Sequence, residues 1–315
     1  MKKQFIKDLQ EGVPVKSQFL LGNLQQRKKN NGDPFLTFTL SDCTGSLNAN
    51  MWDNFDHLSL QQVHFVLIEG IVKSYNNKMQ INVSLIQNIS EDLVDIKNFL
   101  PCTPKNIEEM FLYIKEKSCQ IKNPTLNNLL KEVFSDTKLI SLLKTAPAAK
   151  SMHNAYIGGL LEHIYSLLQL ADFVTEYYDN IDKDLLVTGI IFHDLGKIFE
   201  LNYQYNFEYT DDGKLLGHNI ISIEVLEKYA SKLSVPLSRE LLVALKHMIL
   251  SHHGRLEWGA AKIPVTLEAL VLHHLDNLDA KICGFQQFLE QDKSTSSKWT
   301  SKNFFFENLE LFKKY

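Results

Sequence analysis

Histidine and aspartate crowd the second half of this 315-residue chain. The pair His193-Asp194 closes an apolar run over residues 185–192. His163 lies upstream in Gly-Gly-Leu-Leu-Glu-His, and His218 lies downstream in Leu-Leu-Gly-His. His252-His253 follows in Ser-His-His-Gly, and Asp276 in Leu-His-His-Leu-Asp-Asn-Leu-Asp. Nine of the eleven histidines fall between His153 and His274. That density decides between chance and a site, because six or seven core or surface histidines would each need a separate explanation. Imidazole and carboxylate together are ligands for divalent ions of the Mn, Fe, Co or Zn type. The chemistry indicated is that of a metal phosphohydrolase.

The elements that must hold these residues fall into two textures. Up to about residue 88 the chain reads as strands: 17–26, 35–40, 46–52, 63–73 and 78–87, with apolar and polar residues alternating. Turn residues at 30–34 and at Asp42-Cys43-Thr44-Gly45 separate the first three. A short helical segment is expected near residues 55–60. Five strands with a helix between the third and fourth is the order of an OB-fold barrel. Pro101 and Pro104 bracket a linker. The rest reads as helices at 106–117, 125–134, 159–178, 182–199, 215–233, 237–250 and 264–281, with Pro124 a helix opener. The fold class expected is multidomain, an all-β OB barrel followed by an all-α domain. The expected divisions are 1–90 for the barrel, 91–150 for a helical linker or subdomain, 151–290 for the helical domain and 291–315 for a tail. An aromatic-rich stretch at 202–213 could form a hairpin or lid, and the tail shows no clear period.

The helical faces bring the candidates inward. His163 borders a stripe of Leu160, Ile164, Leu167 and Leu168. His193 and Asp194 end a helix whose inner face includes Leu186, Ile190 and Ile191. His218 opens a helix with Ile221, Val225 and Leu226. Asp276 lies in an almost wholly apolar helix, where an unpaired carboxylate would be costly. His247 reads as packing, and His273, three positions before Asp276, as a support behind a ligand. Lys150 and His153, just ahead of the His163 helix, could bind substrate phosphate. His–Asp mixtures without thiolates favour Mn or Co over structural Zn, with Fe also open. Two divalent ions about 3.5–4 Å apart suit in-line attack on a phosphate.

The order His163, His193-Asp194, His252 or His253, Asp276 resembles the HD superfamily of metal-dependent phosphohydrolases, and the extra His218 and doubled His252-His253 resemble its binuclear members. The resemblance implies one ion on His163, His193, Asp194 and Asp276. It implies a second on His218, His252 and His253, with Asp194 bridging. It also implies that Lys197 of His-Asp-Leu-Gly-Lys touches the scissile phosphate or its attacking hydroxide.

In OB barrels, oligonucleotides bind the face of strands two and three and the flanking loops. Here Lys28 and Lys29 (with Arg27) fall in the first loop, Phe35 on strand two, Trp52 at the end of strand three, and Tyr75 and Lys78 at the last loop. Phe38 lies near strand two as well, but alternation lets only some rings face outward, Phe38 and Trp52 read equally as barrel core, and Lys28, Lys29, Tyr75 and Lys78 are favoured over Phe38. With Pro-Ala-Ala-Lys, Leu-Ser-His-His-Gly and Leu-Asp-Asn-Leu-Asp-Ala-Lys, residues 15–290 resemble the YhaM family of 3′-to-5′ exoribonucleases. That resemblance implies an OB part gripping single-stranded RNA or DNA and an HD part removing 3′-terminal nucleotides. The stretches 202–213 and 294–302 match nothing assignable in it.

The remaining composition narrows the class. Net charge is −4, so a nucleic-acid site must be local. Four scattered cysteines without C-x-x-C spacing suit a reducing cytosol. No apolar run approaches the roughly 18 residues of a membrane span, and residues 1–8 lack a signal-peptide core. A soluble cytoplasmic protein is expected. A homo-oligomer is compatible with the sequence, although no feature demonstrates one. The reading is a two-metal 3′-to-5′ exonuclease on single-stranded RNA, with DNA as a further substrate. Its rivals are an HD phosphohydrolase of nucleotides or cyclic nucleotides, and a non-catalytic nucleic-acid-binding regulator.

Overall fold

The computed structural model of the chain describes all residues except 1, 30, 54, 56–62, 77, 151–153, 204, 206, 293–296 and 314–315. The segment expected as a short helix near 55–60, and His153, lie almost wholly or wholly outside the described residues. The chain separates into two compact units, Met1–Cys102 and Thr103–Tyr315.

The first unit is a closed five-stranded barrel in the order β1-β2-β3-β5-β4. The strands are β1 (Pro14–Lys28), β2 (Pro34–Asp42), β3 (Gly45–Met51), β4 (Phe65–Tyr75) and β5 (Lys78–Asn88). β3 pairs with β5 in parallel, and every other pairing is antiparallel. This is the OB order. Alternation buries Phe19, Phe38, Leu40, Ile68 and Ile81 inside the barrel. The Asp-x-Thr-Gly hairpin closes because Asp42 accepts from both the backbone N–H and the hydroxyl of Thr44, at 2.8 and 2.6 Å. β1 is longer than the alternation alone suggests. A register shift between Gly22 and Gln25, with Asn23 in a left-handed conformation (φ 51°), bends the strand so that it pairs with both β2 and β4.

The second unit is helical: α1 (Ile107–Cys119), α2 (Pro124–Ser135), α3 (Thr137–Leu143), α4 (Gly159–Tyr177), α5 (Lys183–Phe192), α6 (Lys197–Glu200), α7 (Asp211–Leu215), α8 (Gly217–Ala230), α9 (Arg239–Ser251) and α10 (Leu267–Gln291). Side chains of Asn106, Asn123, Asp136, Asp182, Ser238 and Thr266 cap six of these helices. Pro124 occupies the first turn of α2. α5 is buried from Leu185 to Phe192 and forms the axis of the core, which explains an apolar run without a polar face. Helices α1–α3 contribute Met110, Leu126, Leu129 and Leu143 to the same core as α4–α10, so residues 103–150 are part of one helical body rather than a separate linker.

Three of the expected helical runs differ in the structure, and α3 was not among those expected. The run 182–199 is broken after Phe192, because residues 193–196 turn back against α8. The run 215–233 breaks at Leu216, next to Gly217 at φ 73°. α10 continues ten residues beyond Lys281. The stretch 202–213 contains a two-stranded ribbon, β6 (Leu201–Asn202) with β7 (Glu208–Tyr209). No helix among the described residues is long and apolar enough to cross a membrane.

Candidate metal centre and nucleic-acid surface

Two helix ends use one device to aim a histidine. A helix C-terminus leaves carbonyls without partners and carries partial negative charge. His193 follows the last residue of α5, and its Nδ1–H donates to the carbonyl of Ile190 at 2.8 Å. His252 follows α9, and its Nδ1–H donates to Ile249 at 2.7 Å. In both rings this fixes the tautomer and leaves Nε2 as a lone-pair donor aimed into the site. His163, on the first turns of α4, is held by Asp279, whose Oδ2 lies 2.7 Å from Nδ1. His218, at the start of α8, is held by Glu200, whose Oε1 accepts from the ring Nδ1 and from the His218 backbone N–H, both at 3.0 Å. The sequence reading missed Asp279 and Glu200.

The ligand atoms gather in groups. His163, His193 and Asp276 converge in one. His218, His252 and His253 converge in another, and Asp194 stands with His193 and His252 in a third. The carboxylate of Asp194 divides between the two sides. Its Oδ2 lies 3.4 Å from His193 Nε2 and 3.8 Å from His163 Nε2, while its Oδ1 lies 3.5 Å from both His218 Nε2 and His252 Nε2. Nε2 of His163, His193, His218 and His252, Nδ1 of His253 and Oδ1 of Asp194 are all buried without a hydrogen-bond partner. Leaving one buried polar atom unmade costs about 1–3 kcal/mol. Nε2 of His163, His193, His218 and His252 gather around the Asp194 carboxylate, and this donor set fits divalent cations.

Electrostatics agrees. Burial raises the Asp194 carboxyl pKa, but Lys197 and then His193 outweigh it and hold the group well below the usual range. Lys197 Nζ donates to Asp194 Oδ2 at 2.6 Å. Burial opposes the Lys197 charge, yet Asp194 carries its pKa above the ordinary lysine value. Burial, and then the neighbouring His253, drive His252 well below the usual histidine range, so it is a neutral donor. His163 is the exception. Burial alone would lower it, but the carboxylates of Asp276, 3.2 Å from Nε2, and Asp279, at Nδ1, raise it to about 10.

The turn that carries His193-Asp194 depends on Gly196. Its N–H donates to Ser222 Oγ at 2.8 Å. A Cβ there would sit 2.6 Å from the Ser222 backbone nitrogen and closer still to the His218 carbonyl oxygen. Both are backbone atoms of α8, which cannot yield cheaply. Gly196→Ala is expected to push His218 out of the centre, costing about 1–3 kcal/mol of stability and weakening divalent-ion binding. Thermal denaturation and metal titration check this. Gly254, at φ 77°, is required in the same sense because a Cβ would overlap the His273 ring. His273 Nδ1–H donates to the His252 carbonyl at 2.8 Å, bracing the His-His-Gly turn. His247 Nε2 instead accepts from the Val265 N–H and ties a loop to α9, apart from the centre.

Asp194, Lys197, His218, His252, His253 and Asp276 open onto a cavity of about 610 Å³. Lys150 lines it too, with its ammonium 2.6 Å from Glu208 on β7. In the barrel unit, Lys28 is exposed, and Lys29 is paired with Asp53 at 3.0 Å. Tyr75 is 66% exposed and lies opposite Lys78 across the β4–β5 turn. Phe35 and Trp52 are not independent platforms. The register that sets Leu36 against Met51 brings these two rings together, stacked at 4.6 Å and 19°.

Comparison with known proteins fits this geometry. The HD domain profile matches residues 160–281. The chain is 35% identical over 305 residues to the 3′-5′ exoribonuclease YhaM of Geobacillus sp. (strain WCH70), covering 96% of this chain and 92% of that protein. The 3′-5′ exoribonuclease YhaM of Bacillus subtilis (strain 168) is equally similar, with 96% and 95% covered. The chain belongs to the YhaM family of 3′-5′ exoribonucleases. Among solved structures, the second OB-fold domain of replication protein A from Methanococcus maripaludis aligns with 30% of this chain and 100% of that one, at 18% identity and a TM-score of 0.24. The OB assignment rests on the barrel's own strand order. Within this YhaM-family chain, every metal-ligand candidate named from the sequence lies at the one centre.

Proposed function

We infer that the chain is a metal-dependent 3′-to-5′ exoribonuclease that removes nucleoside 5′-monophosphates from single-stranded RNA. The observation that carries this reading is the division of the Asp194 oxygens between the Nε2 atoms of His163 and His193 on one side and of His218 and His252 on the other. That division supports two ions. His163, His193, Asp194 and Asp276 would hold one, and His218, His252 and His253 the other, with Asp194 shared. A donor set of imidazole and carboxylate without thiolate supports Mn or Co. Divalent ions held there supply Lewis acidity toward a phosphodiester and acidify water.

The chain's own groups position the substrate. Lys197, held against Asp194, offers its remaining N–H groups to a phosphate oxygen at the mouth of the centre. Lys150 and Lys281 line the same cavity and attract the terminal phosphodiester. Hydrolysis adds water to phosphorus, breaks the bond to the 3′-oxygen of the penultimate nucleotide and leaves that oxygen protonated. In the barrel, Lys28, Lys29 and Lys78 neutralise phosphates, while Tyr75 and the outer face of the Phe35–Trp52 pair stack on bases. Replacing Lys28 and Lys78 together with alanine is expected to weaken single-strand binding and to flatten its salt dependence by about two contacts. An unchanged slope in a salt titration would remove these lysines from the binding face. All four cysteines are unpaired, which supports a reducing, cytoplasmic setting.

The test is product analysis. Incubation of single-stranded RNA with Mn²⁺ should release nucleoside 5′-monophosphates, with free nucleotides left intact. Turnover of free or cyclic nucleotides with RNA untouched would favour the small-molecule reading instead.

A further inference from the structure

The tail after α10 is built onto the helical unit. Trp299 bridges to Phe312 and Asn303 to Leu309, forming a short hairpin, and Thr300 and Leu311 are buried beneath it. At its tip, Phe304–Phe306 make a single 3-10 turn. The Asn303 side chain fixes it by accepting from the Phe305 N–H at 2.8 Å, and Glu307 and Asn308 close it in left-handed conformations.

The three phenylalanines divide their work. Phe305 lies against Gly284 of α10, where a Cβ would come 2.8 Å from its ring. Lys281 Nζ sits 4.4 Å from the centroid of the Phe305 ring and donates to the Phe305 carbonyl at 3.2 Å. Phe306 packs edge-on against Phe285 at 5.5 Å. Two rings therefore anchor the turn. Phe304 does the opposite. It is 88% exposed, and it lines the cavity that holds Asp194 and Asp276. Trp258 lines that cavity as well. It is 46% exposed, with the Arg255 guanidinium 4.7 Å from its ring.

An anchored turn that offers one bare ring to a cavity lined by Lys150, Lys197 and Lys281, beside the carboxylates of Asp194 and Asp276, matches a nucleotide, whose phosphate and flat base need both a cationic and an aromatic partner. We propose that Phe304 stacks on the base of the 3′-terminal nucleotide, with Trp258 as a further aromatic wall, and so seats the terminal phosphodiester at the metal centre. This deepens the exoribonuclease reading and rests on it. Stacking is sequence-tolerant because every base has a π-face, so the slot would accept all four nucleotides.

The experiment compares removal of the first nucleotide from two short oligoribonucleotides, one with an ordinary 3′ end and one whose 3′-terminal residue lacks a base. Phe304→Ala should raise KM on the ordinary end by about 5- to 150-fold, the range that base–aromatic stacking is worth. It should leave the baseless end as wild type cleaves it, with an unchanged melting temperature. Phe304→Trp should retain the wild-type KM. An unchanged KM for Phe304→Ala on the ordinary end, or an equal loss on both ends, overturns the proposal. A wild-type protein that shortens neither strand overturns the exoribonuclease reading, and the proposal with it.

Discussion

Asp194→Asn is expected to reduce RNA hydrolysis by about a thousandfold or more while single-strand binding persists. The substitution keeps the side-chain shape, so the core around it survives. It removes the charge that both histidine groups face and replaces one ligand oxygen with an amide. Losing the several kcal/mol that paired cations contribute to a phosphoryl transition state corresponds to that factor. It also strips Lys197 of its counter-ion at 2.6 Å, so the lysine loses its fixed position. Binding should persist because the barrel residues Lys28, Tyr75 and Lys78 belong to the other compact unit. Single-turnover kinetics and a filter-binding titration read the two quantities separately. Wild-type cleavage by this variant would move the reaction away from Asp194.

Divalent-ion loading is expected to raise the melting temperature of the helical unit by about 5–10 °C. The centre buries four imidazole nitrogens and one carboxylate oxygen without partners. Water is a weak substitute for so many converging lone pairs, whereas a cation satisfies several at once. An ion at a hundred times its dissociation constant adds about 2.7 kcal/mol to the native state. A unit of this size gains about 2–4 °C per kcal/mol. The measurement is near-UV circular dichroism against temperature, after chelation and after Mn²⁺ addition. A melting temperature indifferent to every divalent ion tried would mean that the orphaned atoms have some other partner.

The candidate ligands were legible because chemistry concentrated them. Most candidates sat at the edge of an apolar helix pattern and Asp276 within one, where a polar residue must have a reason. Their supports were harder to see. Asp279 lies three residues after Asp276 on α10, so helical spacing alone could have placed it on the same face. Glu200 lies in a four-residue helix after a turn, where no periodicity reports a face, and only the fold brings it to His218. The break after Phe192 was hidden because Leu195 and Ile198 extend the apolar pattern through it. Gly196 was its one local mark, and its necessity comes from α8, more than twenty residues on. In the barrel, alternation allowed only some of the rings to face outward, and Phe38 is among the buried ones. It could not show that Phe35 and Trp52 stack on one another, because that follows from the β2–β3 register. The tail carried no period because its rings are placed one at a time, Phe305 and Phe306 against α10, Trp299 against Phe312 and Phe304 exposed.

A time course on 5′-labelled single-stranded RNA, with Mn²⁺ and with excess chelator, tests the central claim most directly. The expected result is a ladder that shortens one nucleotide at a time from the 3′ end, abolished by chelator and absent with Asp194→Asn. Shortening that survives chelation, that begins at the 5′ end or that proceeds by internal cuts would contradict a metal-dependent 3′-to-5′ exonuclease centred on Asp194.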